Sequence, residues 1–436
     1  MAADLDYRDV LPPARTDREG RVVSMAQALD AIADGSRVYL SPICSVPAEI
    51  VAAMADQRDR WSDIELVTDY LIEPLPLFDE PGRPFRLTSL QPTRASAAMA
   101  AAGVMDTIPA SYSQFAGILA PTGTTPIDVA IVQVSEAGPE GRFSLGVAAG
   151  GNADIVRQAP FVIAEVNPQM PYTFGASELD RSMIDLLVEV DHPVQELEVP
   201  EPDETAIAIG AHAAAEIGDA AVLQFGIGAI PESILAALAD RRDLGMHGGM
   251  VGDTVIGLVE SGAMTGSRKT VYPGKLVVGG VLGTRRSFDW AHRNPDILMV
   301  GSAFSHGVPV LAQVERFTAI NSALQVTLDG LVNAEMAGTT VLSGPGGQPD
   351  FAVGASLAPG GLSIIAFPST AARGTRSRIV AALDVGTPAT TPRYLVDRIV
   401  TEFGVARLRG VPFGERARRL ISIAHPDHRA ALVAAG

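Results

Sequence analysis

The stretch AAVLQFGIGAIP, residues 220–231, contains the local pattern that decides the fold. Its first six residues are apolar apart from one glutamine and predict a buried strand. Gly226 and Gly228 then predict a tight turn, and Pro231 favours the start of a helix that runs to Arg241. A strand, a glycine turn and a helix in this order are typical of one repeating unit of an α/β sheet.

The backbone N–H groups of Gly226, Ile227 and Gly228 would lie between this strand and the start of the helix. Unpaired amides at such a corner can bind a phosphate or stabilise an oxyanion. The alternative is that the two glycines only provide the backbone angles of the turn. The spacing does not fit the dinucleotide-binding fingerprint, because Pro231 occupies a position that must be small.

Short apolar runs alternate with alanine-rich stretches along the rest of the chain. Helices that cover a mainly parallel sheet give this alternation, so we predict an α/β fold. Pro47–Asp56 and Thr205–Ile217 are predicted helices. The further predicted strands are Ser36–Ile43, Ile127–Ser135, Phe161–Val166, Lys275–Leu282 and Ile297–Phe304.

Residues 191–204, DHPVQELEVPEPDE, are acidic and contain three prolines. Neither a helix interior nor a central strand tolerates this density of proline. We therefore predict a linker between two open α/β domains with mainly parallel sheets, an N-terminal domain over residues 1–190 and a C-terminal domain over residues 205–436.

The composition excludes several classes of protein. The chain has 436 residues, 47% of them hydrophobic, and a net charge of −17, which disfavours nucleic acid and anionic membranes as partners. The single cysteine, Cys44, excludes an internal disulfide and cysteine-rich metal sites and is typical of a cytoplasmic protein. No uncharged apolar run reaches the ~18 residues of a membrane span, and no secretory leader is recognisable.

Two further glycine-containing segments are candidate sites. Ser343–Phe351, SGPGGQPDF, follows an apolar run, Thr339–Leu342, and is either a loop that lets a ligand approach the backbone or a turn between strands. His247–Met250, HGGM, is predicted to form an open loop before a helix capped by Asp253. None of the seven histidines has the spacing of a zinc motif, and no G-x-S-x-G elbow of a serine hydrolase occurs.

Several segments together resemble the acetyl-CoA hydrolase and 4-hydroxybutyrate CoA-transferase family, a group of class I CoA-transferases. They are Ile163–Pro171, Leu223–Pro231, Ile320–Leu324, Gly346–Gln348 with Asp350 and Phe351, Pro368–Thr370 and Thr401–Ala406. The resemblance spans nearly the whole chain. It implies two related α/β domains, an acyl-CoA substrate, coenzyme A as substrate or product, no metal or permanently bound cofactor, and a homodimer. We assign the candidate CoA-binding role to Gly344, Gly346, Gly347, Gln348, Asp350 and Phe351.

The resemblance also identifies a departure from the family pattern. Members of the family carry the motif His-x-Glu-Met, whose glutamate attacks the acyl-CoA and then holds CoA as a glutamyl thioester. The matching segment here is His247–Met250, so Gly249 occupies the nucleophile position. Glycine has no side chain to acylate. An asparagine that stabilises the oxyanion in the family is matched by His306.

These two changes lead to a mechanistic hypothesis. We predict an enzyme that acts on an acyl-CoA thioester without a glutamyl-CoA intermediate, most simply by hydrolysis. His306 would activate water, because imidazole titrates near neutral pH and serves as a general base. The amides of Gly226, Ile227 and Gly228 would support the oxyanion. His247 is a second candidate catalytic residue, with a purely structural role as its alternative.

Three other functions remain open from the sequence. One is C–C bond cleavage or decarboxylation of a CoA ester, which relatives lacking the glutamate perform. Another is a CoA-transferase with a displaced carboxylate, for which Asp253, Glu232 and Glu260 are the candidates. The third is an acyl-CoA-binding protein without activity.

Overall fold

The computed structural model describes residues 5–80 and 82–435 and contains two compact units. We call residues 6–197 with 277–305 the N-terminal unit, and residues 198–276 with those from 306 onward the C-terminal unit. The chain passes from one unit to the other after residue 197, inside the predicted linker. The domain division at residues 190 and 205 stays a prediction, and the sequence contains no signal for the assignment of residues 277–305 to the N-terminal unit.

The helices and strands are short, and their bounds in chain order follow. The helices are α1 (Met25–Asp30), α2 (Ala48–Asp56), α3 (Ala97–Ala101), α4 (Phe115–Leu119), α5 (Gly150–Gln158), α6 (Glu204–Ala214), α7 (Ala229–Ala236), α8 (Asp253–Glu260), α9 (Arg285–Ala291), α10 (Ser302–Ser305), α11 (Val308–Leu311), α12 (Gln348–Leu357), α13 (Phe413–Ile423) and α14 (Pro426–Ala435). The strands are β1 (Arg21–Val22), β2 (Arg37–Leu40), β3 (Ile64–Thr68), β4 (Phe85–Ser89), β5 (Met105–Thr107), β6 (Val129–Val134), β7 (Phe143–Ser144), β8 (Phe161–Val166), β9 (Glu178–Leu179), β10 (Leu186–Glu189), β11 (Val222–Phe225), β12 (Gly245–Val251), β13 (Leu276–Val281), β14 (Ile297–Met299), β15 (Phe317–Asn321), β16 (Gln325–Thr327), β17 (Val332–Asn333), β18 (Met336–Ala337), β19 (Thr340–Val341), β20 (Leu362–Ala366), β21 (Thr370–Ala371), β22 (Arg376–Ser377), β23 (Ile379–Val380), β24 (Arg398–Thr401) and β25 (Gly404–Arg407).

A parallel sheet forms the core of the N-terminal unit, with the strand order β1-β10-β8-β6-β2-β3-β4-β5. Strands β6 and β8 pair along their whole length, from Val129 with Phe161 to Val134 with Val166. Every residue of β6 is buried. Such a fully buried strand, apolar except for Gln133, is expected where helices and loops cover both faces of a sheet.

A second sheet forms the core of the C-terminal unit. Its strands β12-β11-β15-β20-β24 follow one another in parallel, and β25 adds to β24 in the antiparallel direction. In β11, Val222 pairs with Gly245 on one side and with Phe317 on the other. The two sheets confirm the predicted fold class, and in such sheets ligands bind at the carboxyl ends of the strands.

Three local predictions were wrong. His247–Met250 lies in β12, a strand whose first two residues, Gly245 and Met246, pair with β11. Residues 302–305 form α10 instead of extending a strand, since Asp154 Oδ2 accepts hydrogen bonds from the N and Oγ of Ser302, at 2.8 and 2.6 Å. Phe351 lies in α12, which begins directly after the glycine loop and has proline in its first turn.

Smaller differences concern helix starts. Helix α7 begins at Ala229, so Pro231 is its third residue, and it ends at Ala236 instead of Arg241. Helix α8 begins at Asp253, and Gly252 holds the capping position predicted for the aspartate.

In the described parts of the chain, 5–80 and 82–435, no helix combines the length and the apolar character that crossing a membrane requires.

The segment predicted as a linker is fixed to the N-terminal unit at its start. His192 Nε2 lies 2.7 Å from Oε1 of Glu165, a residue of β8 that is fully buried. The same carboxylate accepts a hydrogen bond from Ile50 N at 2.8 Å. Asn167 Nδ2 donates to the carbonyl oxygen of His192, also at 2.8 Å. The start of this segment is therefore held by a hydrogen-bonded ion pair, next to the buried side chain of Val194.

We expect the His192–Glu165 pair to make stability depend on pH. The hydrogen bond to Glu165 raises the pKa of His192 above its ordinary value, so the stabilisation is complete below about pH 6.5 and is lost as the pH rises through the folded-state pKa. His192→Gln should lower the free energy of unfolding by about 1 kcal/mol at pH 6 and by less at pH 9. Urea unfolding at both pH values measures this, with His212→Gln as the control. An equal loss at both values would contradict the assignment.

Candidate active site

The candidate site lies at the carboxyl ends of β11, β12 and β15 in the C-terminal unit. Strand β11 ends at Phe225, and Gly228 precedes α7 with a φ of +129°, a conformation that disfavours any residue except glycine. Among the described residues, no atom beyond the adjacent residues lies within 4 Å of a Cβ placed on Gly226 or Gly228. Backbone geometry therefore favours glycine at Gly228, while the space beside Gly226 would also admit a side chain.

The segment matched to the family's nucleophile motif is part of the sheet. His247 is fully buried, and its ring meets the ring of Phe317 edge-on with the centroids 6.5 Å apart. A Cβ on Gly248 would lie 3.0 Å from Cγ of Gln224, so this glycine allows Gln224 to lie against the strand. Residues 247–250 are therefore not the open loop that the sequence predicted. They belong to strand β12, and neighbouring side chains lie close to its glycines.

His306 occupies the space in front of Gly249. A Cβ added at Gly249 would lie 3.3 Å from Cε1 and 3.4 Å from Nε2 of the imidazole. On another side, a Cβ at Gly347 would lie only 2.5 Å from Cδ2 of the same ring. The rings of His306 and Phe351 have their centroids 4.4 Å apart. The imidazole therefore sits in a slot made by two glycines and one aromatic ring.

The slot determines the protonation state of His306. His306 is 5% exposed. Burial and, to a smaller extent, the neighbouring His247 together lower its pKa to about 3. A buried imidazolium is disfavoured because the apolar surroundings do not solvate its charge. At neutral pH His306 is thus a neutral imidazole, which has one donor and one acceptor nitrogen. The expectation that it titrates near neutral pH was wrong, because burial makes it a weaker base than an exposed histidine.

A pair of carboxylates lies beside the glycine turn. Glu232 is in the first turn of α7, and its N–H donates to Gly228 O at 3.2 Å. Burial and the charge of Asp253, the first residue of α8, raise the pKa of Glu232 to about 7. Glu260, the third carboxylate predicted as a substitute nucleophile, is exposed and lies at the opposite end of α8.

The predicted CoA-binding residues divide into a loop and a helix. Gly344, Gly346 and Gly347 precede α12, while the other three, Gln348, Asp350 and Phe351, lie in its first turn. Gln348 Nε2 donates to Thr391 Oγ1 at 3.0 Å, and Asp350 is 6% exposed. Phe351 packs on His306, so its side chain contributes to the imidazole slot.

The sequence prediction missed one polar pair at this site. Gln224, the only polar residue of β11, is 3% exposed, and its Oε1 accepts a hydrogen bond from Asn321 Nδ2 at 3.3 Å. Asn321 is the last residue of β15. A glutamine inside an otherwise apolar strand was a visible signal, because a buried amide needs polar partners. Between residues 5 and 435, Pro81 apart, no cluster of His, Cys, Asp or Glu could hold a metal ion.

Comparison with known proteins identifies the class. The N-terminal domain profile of the acetyl-CoA hydrolase/transferase family matches residues 7–194, and the C-terminal domain profile matches residues 283–435. The 4-hydroxybutyrate coenzyme A transferase of Clostridium kluyveri is 37% identical over 420 residues, which cover 95% of this chain and 96% of that protein.

Two solved structures are similar over nearly their full length. RipA from Yersinia pestis superposes with a TM-score of 0.89 at 32% identity and covers 99% of this chain and 98% of its own. The 4-hydroxybutyrate CoA-transferase of Porphyromonas gingivalis superposes with a TM-score of 0.80 at 33% identity, with 95% and 96% covered. The chain belongs to the acetyl-CoA hydrolase/transferase family, as the resemblance predicted. It is an enzyme of a family that acts on CoA thioesters.

Proposed function

We propose that this protein acts on an acyl-CoA thioester without forming a glutamyl-CoA intermediate, most simply as an acyl-CoA hydrolase. The observation that carries the proposal is the imidazole of His306, 3.3 Å from the position of a Cβ on Gly249. A glutamate side chain at residue 249 would extend into this ring. The chain has an acid–base group where the family's nucleophile would project, so water is the remaining simple nucleophile.

The proposed step uses the neutral form of His306. A water oxygen attacks the thioester carbonyl carbon, and the imidazole accepts the water's proton. The C–S bond then breaks, and the imidazolium returns this proton to the CoA sulfur. Because burial disfavours the imidazolium, the proton moves to His306 only as negative charge develops on the carbonyl oxygen beside it. The amides of Gly226, Ile227 and Gly228 are the proposed donors to this oxyanion.

The test is His306→Ala. Loss of a general base typically costs ~10²- to 10⁴-fold in rate, and we expect kcat to fall at least about tenfold while the dissociation constant for CoA changes little. Release of free CoA and of the carboxylic acid is measured for acetyl-, butyryl- and 4-hydroxybutyryl-CoA. His212→Ala, in α6, is the matched control. Unchanged kcat in His306→Ala would refute this role, and CoA release with a product other than the acid would indicate C–C cleavage or decarboxylation.

A second candidate function is a CoA-transferase with Glu232 as the nucleophile. The elevated pKa of Glu232, its partner Asp253 and its place in the first turn after the glycine turn favour it. In this function the Glu232 carboxylate would attack the acyl-CoA carbonyl and displace the CoA thiolate. The thiolate would then attack the glutamyl carbonyl of the mixed anhydride and release the donor carboxylate, which leaves a CoA thioester on Glu232 until a carboxylic acid acceptor removes the CoA. Reduction with borohydride followed by mass spectrometry detects such an adduct, and Glu232→Gln would abolish it. An unmodified protein excludes this function.

The remaining assignments rest on the family and, for the location, on the single cysteine. We propose the Gly344–Gly347 loop with the start of α12 as the CoA-binding segment, coenzyme A as substrate or product, a homodimer, and a cytoplasmic location. The alternative is an acyl-CoA-binding protein without activity. It would bind CoA esters and turn none of them over, and His306→Ala would leave its binding unchanged.

A further inference from the structure

Gln224 is a buried polar side chain of this site that takes no part in the proposed hydrolysis. It is the third residue of β11, directly followed by Phe225 and the glycine turn. Its neighbours in the strand are apolar and buried, as Gln224 itself is. Burying a carboxamide without full hydrogen bonding costs about 1–3 kcal/mol, so a strand gains nothing from a glutamine here unless the amide has a partner or a task.

Asn321 fixes the orientation of this amide. Asn321 Nδ2 donates to Oε1 of Gln224 at 3.3 Å, which directs the carbonyl side of the amide towards β15. Within residues 5–80 and 82–435, no group accepts a hydrogen bond from Gln224 Nε2. The donor half of the carboxamide is therefore held in one orientation and is available to a ligand.

The same face of the sheet holds His306. Gln224 pairs with Ala319 across β11 and β15, and Val222 pairs with Phe317, so Gln224 and Phe317 lie on one face. The Phe317 ring lies 6.2 Å from the Phe351 ring, which in turn contacts His306. On the β12 side, Gln224 and His306 approach the consecutive residues Gly248 and Gly249. The amide and the imidazole thus approach adjacent residues in the middle of β12.

We propose that Gln224 is a catalytic residue that donates a hydrogen bond from Nε2 to the thioester carbonyl oxygen, with Asn321 as its positioning residue. The inference rests on the proposed action on acyl-CoA and extends it. The hydrogen bond strengthens as the carbonyl oxygen becomes an oxyanion, so it lowers the barrier more than it tightens substrate binding. The side-chain donor would act together with the backbone amides of the glycine turn.

The first experiment compares Gln224→Glu, Gln224→Leu and Asn321→Ala in steady-state kinetics. Loss of one oxyanion donor costs about 10²-fold or more in kcat, so we expect that drop for both Gln224 variants with KM little changed. Asn321→Ala leaves the donor present but less well oriented and should lower kcat less. Gln313→Leu, which removes an amide from the end of α11, is the matched control. Wild-type kcat in Gln224→Leu refutes the proposal.

The second experiment separates this inference from the proposed reaction. The probe is an acetyl-CoA analogue in which CH₂ replaces the sulfur, isotope-labelled at the carbonyl carbon, and the readout is its infrared carbonyl stretch when bound. A donor at the carbonyl oxygen lowers the stretching frequency, and we expect this shift in the wild type, its loss in Gln224→Leu and a partial loss in Asn321→Ala. If the wild type hydrolyses no acyl-CoA but the shift depends on Gln224, the proposed function fails and the donor role stands. Equal spectra in wild type and Gln224→Leu, or no binding of the analogue, overturn the donor role.

Discussion

The double variant Gly249→Glu/His306→Asn is expected to form a covalent CoA adduct that the wild-type protein cannot form at this position. The backbone of Gly249 is outside the positive-φ region, so a residue with a side chain fits its conformation. The obstacle is the imidazole, which lies 3.3 Å from the Cβ position and in the direction that a longer side chain would take. Replacing the ring by the smaller asparagine provides the room for a carboxylate.

The two single variants are the controls. Gly249→Glu retains the ring, so we expect misplacement of the carboxylate and little or no adduct. His306→Asn has space beside residue 249 but no carboxylate there, so we expect no covalent adduct. Each protein is incubated with acyl-CoA, reduced with borohydride and analysed by intact-mass and peptide mass spectrometry. An adduct in the wild type or in His306→Asn would contradict the proposal that residue 249 is the vacant nucleophile position, and so would its absence from a folded double variant.

Asp69→Asn is expected to stabilise the protein strongly at alkaline pH. Asp69 follows β3 directly and is 2% exposed, and among the described residues its Oδ1 has no hydrogen-bond partner. Burial raises its pKa from 3.8 to about 7. Between these values the folded state keeps a proton that the unfolded state releases, so stability falls as the pH rises through this window and the loss is complete above about pH 7.

A shift of about three pKa units corresponds to about 4 kcal/mol, which is the largest loss in the free energy of unfolding that ionisation of Asp69 can cause. Asparagine has nearly the same shape as aspartate and no charge. We therefore expect the free energy of unfolding of Asp69→Asn to exceed that of the wild type by up to this amount at pH 8 and by almost nothing at pH 4. Urea unfolding at the two pH values measures the difference. Asp79→Asn, an exposed position in the same unit, is the control. A gain of equal size at both pH values would show that the charge of Asp69 is not its cause.

Much of the fold was predictable because local signals and sheet pairing agree. Phe161–Val166 was predicted with its observed bounds, since an apolar, partly β-branched run has few alternatives to a buried strand. His247–Met250 was not, because two glycines favour a loop and only the place of β12 within the sheet makes the segment a strand. Helix α10 also lacked a local signal, since the carboxylate that binds its first residue, Asp154, is far away in the sequence.

The sequence predicted candidate residues for the site but not their geometry. The resemblance predicts that Gly249 and His306 depart from the family pattern, and this stays a prediction; nothing in the chain indicated that His306 fills the space beside Gly249. The protonation state of His306 follows from its burial, and burial is a property of the packed structure. Gln224 belongs to the segment Leu223–Pro231 that resembles the family, but its proposed role depends on the hydrogen bond from Asn321, a partner on another strand.

The glycine at position 347 limits how this candidate site can be redesigned. A side chain there would overlap the edge of the His306 ring, and the same ring lies 3.3 Å from a Cβ position on Gly249. The two glycines therefore share one volume through the imidazole between them, and a substitution at either changes what the other tolerates. Saturation libraries that vary these three residues one at a time would miss the functional combinations, so they must be randomised together.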